Sequence, residues 1–93
     1  MKLNTKIKQQ YRAKAHKLKP VVMIAGKGLT ETVNQEINRA LFDHELIKIR
    51  ISVADREERR QLFADICKNH RAAPIQLIGM IATLYRKSDK VKE

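Results

Sequence analysis

Ninety-three residues are enough for one domain and too few for two, and a single cysteine excludes an internal disulfide. Twenty Lys and Arg against ten Asp and Glu leave a net charge of +10, and 43% apolar residues argue for a packed core over global disorder. No basic start runs into an unbroken apolar stretch as a secretory leader would, and Val21 to Ala25 is far too short to cross a bilayer, so the expectation is a soluble, cytoplasmic chain.

The first element carries most of the charge. Lys2, Lys6, Lys8, Arg12, Lys14, Lys17 and Lys19 fall within the first nineteen residues, which contain no acid. Leu3, Ile7, Tyr11, Ala15 and Leu18 recur at spacings of three and four, predicting a helix from Asn4 to about Leu18 with Asn4 or Thr5 as N-cap. Lys8, Arg12 and His16 share one flank, while Lys14 falls within the apolar stripe and must send its ammonium outward. The stripe is too narrow for a membrane-surface helix and better suited to docking on a core. Pro20 ends the helix.

Pro20 to Ala25 is a continuous apolar run of strand length, the pattern of an interior strand covered on both faces. Gly26-Lys27-Gly28 breaks it, and Thr30 caps a second helix to about His44 that buries Val33, Ile37, Ala40 and Leu41 and leaves Phe42 outside. Leu46 to Ile51 alternates, with three isoleucines on one face and Lys48 and Arg50 on a wet face. Asp55-Arg56-Glu57-Glu58 has the form of a capping box for a third helix to about His70, burying Leu62, Phe63, Ile66 and Cys67. Ile75 to Ile78 and Met80 to Tyr85 read as two short strands joined by a tight turn at Gly79.

The fold class that follows is α/β: one compact domain, residues 1–86, with a four-stranded mixed sheet, helices packed on it, and the order α-β-α-β-α-β-β. Residues 87–93 read as a charged, flexible tail.

Ala25-Gly26-Lys27-Gly28 lies between a strand and a helix N-terminus, where free amides and the helix dipole favour an anion. An isolated Gly-x-Gly is most simply a tight turn, and this one lacks the ending of a Walker A loop. Beside an acid-free basic helix, a phosphate-gripping role becomes the better reading. His16, His44, His70 and Cys67 are too far apart for a metal site, His44 suits a capping role, and Cys67 sits on a buried stripe. No nucleophile stands beside a base, so no cofactor, metal or catalysis is expected. The only aromatics are Tyr11, Phe42, Phe63 and Tyr85, which argues for grip on phosphate and shape over base stacking.

The motifs so placed resemble the CRM domain, named for chloroplast RNA splicing and ribosome maturation, in its stand-alone bacterial YhbY-like form. The resemblance is carried by Ala15-His16-Lys17-Leu18-Lys19-Pro20-Val21-Val22, Gly28-Leu29-Thr30-Glu31, His44 to Ile49, Gln76-Leu77-Ile78-Gly79 and Leu84-Tyr85-Arg86. It implies a fold similar to the C-terminal domain of bacterial translation initiation factor three, and binding to precursors of the large ribosomal subunit. The family's Gly-x-x-Gly loop matches here at Gly28, with Ala25 at the first position and Gly26 one residue later. The resemblance also implies secondary roles for His16 and Arg86.

The expected function is therefore non-catalytic binding of structured ribosomal RNA, as a monomer, in large-subunit assembly, with no membrane and no small-molecule substrate. Lys27 is expected on a phosphate, with Gly26 and Gly28 permitting the approach, and Lys8, Arg12 and Lys19 extending the surface. The alternatives are a nucleoid-type DNA-binding protein and a basic module that docks an acidic protein.

Overall fold

The computed structural model describes residues 4–88. Its elements are α1 (Thr5–Ala15), β1 (Pro20–Ile24), α2 (Glu31–His44), β2 (Leu46–Ile51), α3 (Arg56–His70), β3 (Ala73–Ile78) and β4 (Ile81–Tyr85), the predicted order. Each helix starts at a polar cap that occupies otherwise orphaned amides. Asn4 Oδ1 accepts from the Ile7 amide, Thr30 Oγ1 from Val33, and Asp55 Oδ1 from Glu57 and Glu58. Leu3 and residues 89–93 of the expected tail lie outside the described residues. Ser88 is tied down, its amide donating to Glu45 Oε2 and its hydroxyl to the Phe42 carbonyl.

The sheet order is β1-β2-β4-β3. β1 and β2 pair in parallel through α2, while β4 runs antiparallel between β2 and β3. α3 therefore carries the chain from β2 past an empty lane, which β4 fills after the Gly79 turn, where Gly79 takes a φ of 57°. One sheet face packs on α2 and α3: Val22, Ile24, Ile47, Ile49, Ile51, Ala82 and Leu84 join Ile37, Leu41, Phe63 and Ile66 in a single core. Strand residues alternate between faces, so Thr83 and Tyr85 point the other way. Tyr85 stacks on Tyr11, which places α1 on the face opposite α2 and α3.

Two expectations need correcting. β1 is not an interior strand covered on both faces but an edge strand, with Val22 and Ile24 buried and Val21 and Met23 exposed by 52% and 61%. The central lane went to β4, and α1 packs against β2 and β3, leaving the outer face of β1 uncovered. α1 also ends at Ala15, three residues before Leu18. Bonds from the His16, Lys17 and Leu18 amides to the third preceding carbonyl tighten the chain into a turn that feeds β1.

Candidate nucleic-acid interface

The glycine loop is a closed turn. The Gly28 amide donates to the Ala25 carbonyl at 2.8 Å, and Gly28 takes a φ of 67°, so the chain can reverse and enter the Thr30 cap. The first position needs no positive φ, which is why Ala25 serves there. Gly26 and Lys27 donate to no backbone carbonyl, leaving their amides open beside the start of α2. A Cβ built on Gly26 meets nothing within 4 Å, so glycine there leaves open surface that a ligand backbone can approach. The exposed Lys27 side chain sits at the tip.

The sheet also sorts the charge. Every described Asp and Glu belongs to α2, α3 or a residue capping one of them, Glu45 and Asp55. The opposite side carries Lys6, Lys8, Arg12, Lys14, Lys17 and Lys19, and no strand bears a carboxylate. Glu45 touches only its far rim, its carboxylate held by the Ser88 amide. An uncompensated sign on one face makes a field that a polyanion senses at a distance.

The candidate residues do not converge on a point; they spread over this face. Arg12 Nε donates to the Ile75 carbonyl of β3, one edge of the sheet, while the glycine loop follows β1, the other edge. Three strand spacings, about 14 Å, separate those edges. Lys48 and Arg50 bridge them, since Lys48 pairs with Pro20 and Arg50 with Met23 on the outward face of β2. Alternation flagged both as wetting a face; only the sheet order reveals that they link α1 to the loop. Lys19 stands at the start of β1, so the five residues of that strand, roughly 16 Å, separate it from the loop. His16 is the exposed C-cap of α1. Lys14 lays its ammonium 5.6 Å from the Tyr11 ring centroid, a cation–π contact that keeps the charge outside.

Arg86 lies at the opposite end of the sheet from the loop. Its guanidinium donates to the carbonyls of His70 and Asn38, holding together α2 and the end of α3. His70 is joined to Asn34 Oδ1 at 3.0 Å, and burial, with Arg86 nearby, lowers its pKa. Hydrogen bonding with Tyr11, then burial, pushes Tyr85 up to about 12, and burial alone does the same to Cys67. His44 is exposed in the last turn of α2. Among the described residues no group of three His, Cys, Asp or Glu could hold a metal, and no helix is long and apolar enough to cross a membrane.

Residues 3–86 match the model of the CRS1 / YhbY (CRM) domain family. A protein of Haemophilus influenzae named RNA-binding protein is 48% identical over 90 residues, covering 97% of this chain and 91% of that one. A protein of Pseudomonas aeruginosa named probable RNA-binding protein is 44% identical over 90 residues, covering 97% and 86%. The solution structure of a hypothetical Staphylococcus aureus protein, described as a candidate RNA binder, superposes with a TM-score of 0.84 at 27% identity, covering 98% of this chain and 95% of that one.

Proposed function

The chain belongs to the CRS1 / YhbY (CRM) domain family, and from that premise we propose that it is a non-catalytic RNA-binding protein that contacts structured ribosomal RNA during large-subunit assembly. The observation that carries this reading is the segregation of charge by the sheet, with a cationic face on the α1 side that leads to an open glycine turn, whose α3 side is bordered by Glu58 and Asp65. Lys27 contacts a phosphate, and Gly26 and Gly28 let the ribose-phosphate chain come close to the Gly26 and Lys27 amides. Lys8, Arg12 and Lys19, joined by Lys48 and Arg50, neutralise further phosphates across the sheet, with His16 beside them. Arg86 contributes through the helix ends that it holds. The protein acts as a monomer in the cytoplasm.

The test is binding to ribosomal RNA fragments over a salt series, with duplex DNA as competitor. With about five phosphates neutralised, log K against log salt should fall with a slope near −3.5 on single-stranded RNA. Lys27→Ala should weaken binding to a similar degree on all sequences, because phosphate carries no sequence information. Affinity indifferent to salt would remove the mechanism. Displacement by duplex DNA at equal concentration would favour a general DNA-binding role, and crosslinking in cells that recovers no large-subunit RNA would remove the ribosomal part.

A further inference from the structure

A second cationic feature lies outside the face just described. Arg56, Arg59 and Arg60 stand at positions i, i+3 and i+4 of α3, and so on one side of that helix. With Leu77 and Gly79 they line a cleft of about 520 Å³ against the β3–β4 turn. No carboxylate lines it; Glu58 and Asp65 face the other side of α3, beside the glycine loop.

The three guanidinium groups are differently placed. Arg59 is fixed, its Nη1 donating to the carbonyls of Val53 at 2.7 Å and Ala54 at 2.9 Å, which leaves its other nitrogens to the cleft. Arg60 makes a loose contact of 3.6 Å with Glu57, both side chains well exposed, an ion pair of little strength in water. Arg56 is exposed. A planar fork held in place beside two solvent-exposed ones is suited to a phosphodiester, whose paired oxygens accept two parallel hydrogen bonds.

The sheet supplies the path to it. Arg50, on the outward face of β2, pairs with Ile81, and the Ile51 amide donates to the Met80 carbonyl, so the β3–β4 turn lies between Arg50 and the arginine cleft. We infer that the Arg56–Arg59–Arg60 cleft is a second phosphate site for the same RNA strand, which leaves the cationic face at Arg50 and crosses the Gly79 turn. This rests on the RNA-binding reading and extends the contact around the end of the sheet.

The experiment uses the full chain and a mixed-sequence single-stranded RNA of about 20 nucleotides, long enough to span both regions. Arg56→Gln with Arg60→Gln alters exposed side chains only, and Arg59 stays in place to hold its loop. The double variant should bind about tenfold more weakly, and its salt slope should be shallower by about 1.4, the value for two phosphates on a single strand. Glu57→Gln, which frees Arg60 from its competitor, should tighten binding two- to threefold (~2–3) in the same assay. Wild-type affinity and slope in the double variant, with Lys27→Ala still weakened, would overturn the second site and leave the RNA-binding reading intact. A wild-type chain with no salt-dependent affinity would instead overturn the reading itself. Inorganic phosphate that displaces the RNA at micromolar concentration would assign the cleft to a small anion and overturn the phosphodiester.

Discussion

Tyr11 and Tyr85 stack with ring centroids 4.3 Å apart and planes inclined by 21°. The pair is the hinge-pin of the charge arrangement, because Tyr85 points away from the core that α2 and α3 cover, and Tyr11 brings α1 to that side. Two of the four aromatic residues are thus spent on docking a cationic helix, which leaves them unavailable for stacking on bases.

Removing the stack should loosen α1. Tyr11→Ala forfeits the aromatic pair and the area beneath it, a loss of about 2 kcal/mol for a half-buried ring, whereas Tyr11→Phe keeps the stack and should lose less than about 1 kcal/mol. Urea unfolding of both variants measures the difference. Equal losses would show that the hydroxyl, and not the ring, holds the helix.

The two glycines of the loop separate backbone need from ligand need. Gly28→Ala must place a Cβ at a φ of 67° and should cost about 1–2 kcal/mol of stability. Gly26→Ala meets open space at an ordinary φ, so its stability should stay within about 0.5 kcal/mol of wild type. Its RNA affinity should nevertheless fall severalfold, because the methyl group stands where the ribose-phosphate chain approaches. Calorimetry and filter binding on the same preparations decide it; an unaltered affinity would remove close approach at Gly26 from the mechanism.

Thr83 is fully buried under α1, and its hydroxyl has no hydrogen-bond partner. An unsatisfied buried hydroxyl costs about 1–3 kcal/mol, so Thr83→Val, which keeps the shape, should raise stability by about 1 kcal/mol. The denaturant midpoint should move up without a change in slope. A lower midpoint would mean that the hydroxyl contributes to the docking of α1.

His70 makes the fold sensitive to mild acid. Its pKa lies below the ordinary 6.5 in the folded chain, so below that pH the unfolded chain binds the proton first. Above 6.5 both states are neutral and the residue contributes no pH dependence. As pH falls below 6.5 stability declines, until the folded chain is protonated too. Stability measured across this window should show the decline, and His70→Gln, which can still reach Asn34, should flatten it. A wild-type profile that rises toward acid would contradict the placement of His70 beside Arg86.

Local chemistry made most of the elements legible. Asn4, Thr30 and Asp55 are caps because their side-chain oxygens reach amides two or three residues away, a contact set by the chain itself. Gly79 needs a left-handed φ in any tight turn of this kind. The alternation of Lys48 and Arg50 with isoleucines likewise survives in β2, whose inward residues are Ile47, Ile49 and Ile51. β1 failed for a physical reason: an apolar run of β-branched residues suits a strand with both faces covered, yet Val21 and Met23 face outward, because what lies above a strand depends on where distant elements settle.

The amino-acid order alone determined the helices, the strands, the tight turns and the concentration of positive charge at one end, since each depends on neighbours within a few residues. Only the tertiary structure decided which charges share a surface. The described acids, spread from Glu31 to Asp65, become one layer because α2 and α3 pack on the same sheet face, and Lys48 and Arg50 fall on the α1 side because the isoleucines of β2 turn toward that layer. Long-range pairing of strands, driven by burial of the isoleucine face, is what turns a chain of scattered charges into a polarised molecule.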